Sequence, residues 1–129
     1  MMKLLISNLA WNYDENEKFI KLLKKNKITD LEFAPSKLLQ NNFKRKNLII
    51  TKNFWKKNGI KLYSMQSILY GIDDCFLFGS KKQRSNFIKE IFKKIDLAKK
   101  LGVKVIVFGS PTNRKRFKKK KNILDKIFL

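Results

Sequence analysis

Gly59-Ile-Lys-Leu-Tyr-Ser-Met-Gln-Ser67, an amphipathic stretch near Ser85–Leu101, and Gly102-Val-Lys-Val-Ile-Val-Phe-Gly-Ser-Pro111 together decide the fold of this chain. An apolar run, a crossover helix and a second apolar run make a βαβ unit with parallel strands. Phe87, Ile88, Ile91, Phe92, Ile95, Ala98 and Leu101 recur at helical spacing and predict one apolar stripe. Ser85 is the expected N-cap, and Gly102 stands where a helix end takes a left-handed residue. Val103–Phe108 is almost continuously apolar, which predicts a strand covered on both faces.

Working back toward the N-terminus, the same alternation continues. Met2–Asn8 reads as a first strand. Asp14 stands three residues before Glu17 and opens a helix whose apolar side is Phe19, Ile20, Leu22 and Leu23, with Asn26 as its stop. Ile28–Phe33 is a second strand, ended by Pro35. Residues 36–46 are polar and irregular, with one helical turn at Lys37–Leu39. A second helix is expected over Asn47–Lys57, burying Leu48, Ile49, Phe54 and Trp55, with Gly59 as its stop. The β-branched residues at Ile49–Thr51 leave a strand there as the alternative.

The order β-α-β-α-β-α-β predicts an α/β fold with a parallel sheet and right-handed crossovers. Two architectures satisfy it: a small open doubly wound sheet, or the first four units of a (β/α)8 (TIM) barrel, a half barrel. In both, ligands meet the carboxyl ends of the strands. Those ends are Asn8–Trp11, Glu32–Pro35, Gln66–Leu69 and Gly109–Arg114.

Composition narrows the function classes. The 129 residues are 43% hydrophobic, enough for one domain with a core and too apolar for a disordered chain. No apolar run reaches the roughly 18–20 residues of a membrane span. The N-terminal apolar run is short and leads into Trp11-Asn-Tyr-Asp14, so it reads as a strand rather than a signal peptide. Cys75 is the only cysteine, which rules out an intrachain disulfide and fits a cytoplasmic setting. The absence of His removes imidazole bases and His-carboxylate metal sites from this chain.

The net charge of +21 invites a nucleic-acid partner. Its make-up points more to a compositional bias: 27 of the 31 basic residues are Lys, and Lys, Asn, Ile and Phe all have A/T-rich codons. Arg, which suits bidentate phosphate and base contacts, is not enriched. The basic tract at 114–121 is one place for phosphate contacts, with a solvated charge run as the alternative. A short apolar helix over Ile123–Leu129 follows it and needs a covering surface.

Several residues at the strand ends have the chemistry to meet a small polar ligand. Alternation puts Asp30 and Glu32 on one face and Leu31 and Phe33 on the other, so Glu32 either faces a ligand or pairs with a lysine. Gln66, read on the face of Leu62 and Ser64, offers an amide to sugar hydroxyls or to loop backbone. Ser110 and Arg114, in the Gly109–Arg114 loop, suit a phosphate or hydroxyl, with a plain turn as the alternative. Trp11 either stacks on a sugar face or joins the core. The loop 67–84 carries Tyr70, Gly71, Phe78 and Gly79, a combination suited to a lid. Cys75 has no His to activate it.

Four segments in order carry a family likeness: Met2-Lys-Leu-Leu-Ile-Ser-Asn-Leu-Ala-Trp-Asn12, Ile28-Thr-Asp-Leu-Glu-Phe-Ala-Pro-Ser-Lys37, Gly59-Ile-Lys-Leu-Tyr-Ser-Met-Gln-Ser-Ile-Leu-Tyr-Gly71 and Val105-Ile-Val-Phe-Gly-Ser-Pro-Thr-Asn-Arg114. Over residues 2–114 the chain resembles the N-terminal half of the sugar phosphate isomerase/epimerase family, the xylose isomerase-like barrels. The resemblance implies a barrel that moves a proton between adjacent sugar carbons, with a divalent metal (Mn, Mg, Co or Zn) holding the substrate oxygens. In that family the metal ligands are Glu, Asp and His on later strands, so none is expected in this chain. A complete barrel takes about 250 residues, which makes this chain roughly half of one.

What carries over is a substrate wall of Trp11, Glu32, Gln66, Ser110 and Arg114, with the catalytic base unassigned. The expected partners are a sugar or sugar phosphate and either a second chain completing the barrel or another copy. The expected isolated chain is inactive. The alternative function is a nucleic-acid-binding module, since metal-dependent endonucleases acting at abasic sites share the barrel.

Overall fold

The computed structural model describes residues 4–116. The basic tract beyond Arg116, the expected helix Ile123–Leu129 and the start of the first strand lie outside the described residues. Strands β1 (Leu5–Ser7), β2 (Asp30–Phe33), β3 (Lys61–Met65) and β4 (Val105–Ile106) form one sheet. Helices α1 (Asn16–Lys25), α2 (Pro35–Leu38), α3 (Arg45–Lys57) and α4 (Lys81–Leu101) stand between them, with 3-10 turns at 8–10, 13–15 and 112–114. All three strand pairings are parallel, and the strand order is β1-β2-β3-β4. The fold is thus mixed α/β, with a four-stranded parallel sheet alternating with helices.

Register divides the sheet into two unlike faces. Ile6, Leu31 and Leu62 stand in one row, and Phe33, Met65 and Ile106 in the next. Leu31, Leu62, Phe33 and Met65 join one core with Ile20 and Leu23 of α1, Leu48 and Trp55 of α3, and Phe87, Leu97 and Leu101 of α4. The other face carries Ser7, Glu32, Ser64 and Val105 in one row. Not one of these four belongs to the core. A single residue, Tyr63, interrupts the alternation: Leu31 faces Leu62, but Glu32 faces Ser64. This bulge corrects the expected alignment of Leu62 with Ser64, because an extra residue shifts everything after it by one place.

Helix α4 starts four residues before the expected Ser85. Ser80 is its N-cap: Ser80 Oγ accepts from the Gln83 N–H, and Gln83 Oε1 accepts from the Ser80 N–H. That reciprocal box satisfies two donors, whereas Ser85, followed three residues on by Ile88, could satisfy only one. Gly102 closes the helix at φ 78°, the left-handed end the sequence called for. Helix α3 is helical throughout, so the strand alternative at Ile49–Thr51 does not occur.

Two expectations about covering are overturned on one side of the molecule. The α4 stripe is split: Phe87, Ala98 and Leu101 are buried, whereas Ile88, Phe92 and Ile95 are exposed. The strand expected over Val103–Phe108 spans only Val105–Ile106, with the Lys104 and Val107 N–H groups donating to the Tyr63 and Met65 carbonyls of β3. Val105, Ile106, Val107 and Phe108 are 36–43% exposed instead of covered on both faces. The physical reason is the same in both cases, since among the described residues β4 is an edge strand and α4 is the helix that leads into it. Phe87, buried on α4, meets Phe108 of the run after β4 edge-on at 5.9 Å. Ile49 and Leu22, also expected inside, are exposed on α3 and α1.

Candidate functional site

The polar face of the sheet becomes a hydrogen-bonded row at the carboxyl ends of the strands. Ser64 Oγ donates to Glu32 Oε2 at 2.8 Å, and Gln66 Nε2 donates to Ser7 Oγ. The Gln66 N–H in turn donates to the Phe33 carbonyl at 2.9 Å, carrying β3 one step past its last ladder residue. Asn8, buried in the turn after β1, accepts the Ala34 N–H at 2.9 Å. That bond fixes the β1 exit against the β2 exit, so Ser7 and Glu32 are held side by side. Ser67 and Ser110, just beyond β3 and β4, both have positive φ (52° and 36°). Non-glycine residues there cost about 1–2 kcal/mol each, so the loop starts are held against a local preference.

The predicted residues fall into three groups. Glu32 and Gln66 stand together in the row. Trp11 does not: it is 4% exposed, stacks on Phe19 at 4.4 Å and donates Nε1–H to Asn16 Oδ1 at 2.8 Å. Both its ring face and its polar atom are used, so Trp11 is a core contact. Ser110 and Arg114 lie beyond β4. Arg114 donates Nε–H to the Gly109 carbonyl at 2.7 Å and sets its guanidinium 5.5 Å from the Phe108 ring. Arg114 therefore closes its own turn while its side chain remains exposed.

The four residues read as a lid fall in two different settings in the loop after β3. Tyr70 is 78% exposed and Gly71 is open to solvent. Phe78 and Gly79 are buried at the base. A Cβ on Gly79 would lie 2.4 Å from Gln83 Oε1 and 3.0 Å from the Phe76 Cβ, so this glycine serves packing against the helix cap. The second half of the loop is stapled to the turn after β4. Asn113 donates Nδ2–H to the Cys75 carbonyl at 2.7 Å, and its own carbonyl accepts the Leu77 N–H at 2.8 Å. Between Ser67 and Gly79 the exposed residues are Tyr70, Gly71, Asp73 and Asp74, with Ile72 packed against the core.

Asn8, Ser64 and Asn113 do structural work that the sequence reading did not assign. For Asn8 and Asn113 no local signal exists, because both partners are distant in sequence. Ser64 was visible as a strand residue, but its pairing with Glu32 depends on the bulge at Tyr63. The charges around these elements respond to their settings. The Asn12 N–H holds the Glu15 carboxyl below its ordinary range. Burial pushes the Cys75 thiol up and the Lys94 ammonium down.

The chemistry of the row is hydrogen bonding to hydroxyls. Glu32 is an acceptor, Gln66 offers both donor and acceptor, and Ser7 and Ser64 donate or accept. A divalent cation does not fit this donor set, since one carboxylate among hydroxyls and an amide supplies too little charge. Among the described residues no three Asp, Glu or Cys side chains gather into a metal-binding group. Also among the described residues, no helix is long and apolar enough to cross a membrane. No family model matches the chain, and no curated protein matches it.

Proposed function

We propose that this chain forms the first four βα units of a sugar phosphate isomerase/epimerase-like (β/α)8 barrel. In this reading Ser7, Glu32, Ser64 and Gln66 are the wall that hydrogen-bonds the hydroxyls of a sugar or sugar phosphate. The observation that carries the reading is the uninterrupted strand order β1-β2-β3-β4 with a core on one face and a polar row on the other. A doubly wound sheet reverses strand order at a switch point and buries both faces. A barrel keeps sequential order and turns the second face into its interior. The exposed outer side of β4 and α4 supports continuation by further βα units. Those units, from a second chain or from further sequence, would carry the divalent metal that the resemblance implies.

The described residues then bind and orient substrate without turning it over. The test is an amide-resolved NMR titration with pentose and hexose phosphates, run on the wild type and on Gln66→Leu. Shifts clustered at Ser7, Glu32, Ser64 and Gln66, lost in Gln66→Leu, are the expected result, with no turnover when Mn, Mg, Co or Zn is added. Shifts confined to other parts of the chain, or metal-dependent turnover by this chain alone, would overturn the reading.

A further inference from the structure

A cavity lies on the helix side of the same strand ends, lined by none of the polar-row residues. It is an open cleft of about 610 Å3 between the loop after β2, the start of α3, the Tyr70–Asp73 loop and the outer turns of α4. Its walls are largely apolar, with Pro35, Phe43, Leu48, Ile68 and Leu97 among them. Lys94 is half-buried here, its ammonium 4.8 Å from the centre of the Phe43 ring.

The ionic neighbours decide what this lysine can do. Lys93 takes Glu90 at 2.6 Å, and Lys100 takes Asp96 at 2.5 Å. Asp73 joins them from the loop, so the lining carries three carboxylates and three ammoniums and favours no net charge on a ligand. Lys94 is left against an aromatic wall. We propose that Lys94 is a reactive amine and that the cleft takes an uncharged apolar aldehyde, which it captures as a Schiff base.

Burial disfavours the ammonium and outweighs the opposing influence of Glu90; Lys93 adds to it, and the buried Cys75 thiol acts weakly the other way. The Phe43 ring favours the ammonium modestly. More of the free amine is therefore present near neutral pH than on an exposed lysine, which is the condition for attack on a carbonyl. The Lys94 nitrogen lone pair forms the C–N bond as the carbonyl π pair moves to oxygen. Proton transfer from nitrogen to oxygen through solvent gives the carbinolamine. Protonation of its hydroxyl lets the C–O bond break, water leaves, and the nitrogen's remaining proton returns to solvent. Aldehyde and amine become imine and water with no redox change.

The 26 other lysines are internal controls. Benzaldehyde is added to the full chain with sodium cyanoborohydride, and adducts are located by peptide mass mapping across pH. Labelling at Lys94 several-fold above that at Lys89 and Lys99, two exposed lysines of the same helix, is expected, with its rise at lower pH. Lys94→Arg, folded by circular dichroism, should lose that adduct and keep the others. Labelling at Lys94 equal to or below that at Lys89, or rising over the same pH range, would overturn the proposal.

Discussion

Helix α4 carries its own internal comparison, because two of its apolar residues sit in opposite settings. Leu97 is 6% exposed and Phe92 is 67% exposed. Replacing Leu97 by Ala removes core contacts and leaves a cavity, at a cost of about 2–4 kcal/mol. Full burial of a phenylalanine is worth about 1.5–3 kcal/mol. With about a third of that surface covered, Phe92→Ala should lose about 0.5–1 kcal/mol, and the gain in helix propensity returns up to about 0.5 kcal/mol. The two variants should therefore differ by about 1–4 kcal/mol. For a small domain with a urea slope of about 1–2 kcal/mol per molar, that separates their midpoints by at least about 0.5 M. Urea titrations followed at 222 nm, compared at constant slope, read this directly. Equal midpoints would refute the reasoning, since they would mean Phe92 is covered in solution as fully as Leu97.

Other consequences follow from buried polar and thiol groups. Asn8→Ala leaves the Ala34 N–H buried and unpaired, so it should cost about 1–3 kcal/mol in chemical denaturation; a loss within 0.5 kcal/mol would show that the β1 and β2 exits are held by other means. Cys75 is fully buried with its thiol pKa raised. It should resist Ellman's reagent until urea unfolds the chain, and immediate reaction in the native state would contradict its placement. The same shift means that folding favours the neutral thiol, so its contribution is intact below the ordinary thiol value of 9.0 and declines as pH rises through and beyond it. A Cys75→Ala variant should show a shallower loss of stability over that alkaline window, measured by urea midpoints.

The order of strands and helices was legible because period-2 and period-3.6 patterns alternate cleanly along this chain. The start of α4 was legible in principle: Ser80 and Gln83 form a box, whereas Ser85 has Ile88 at the matching place. Periodicity could not tell which side of α4 would be covered. Ile88, Phe92 and Ile95 recur at helical spacing just as Phe87, Ile91 and Ala98 do, and only the neighbouring elements separate them. Val105–Phe108 failed for the same reason, since an apolar run reveals its appetite for neighbours and not their presence. At the site, Glu32 followed from simple alternation. Gln66 joined Ser7 across 59 residues, and Ser64 reached Glu32 only because Tyr63 bulges. Trp11 was ambiguous until Phe19 and Asn16 of α1 came beside it.

In the proposed half barrel, β4 is, among the described residues, an edge strand with an unpaired outer side, and the polar face of the sheet lines the interior. Hydrogen exchange with mass spectrometric readout tests it most directly, comparing the 103–108 segment with 61–65 in the native chain. Among the described residues, strand β3 is paired on both sides and β4 on one. The account predicts that 103–108 exchanges much faster than 61–65. Equal protection of the two segments, with the chain at a concentration where it is monomeric, would mean that the outer side of β4 is already sealed and would contradict the half-barrel reading.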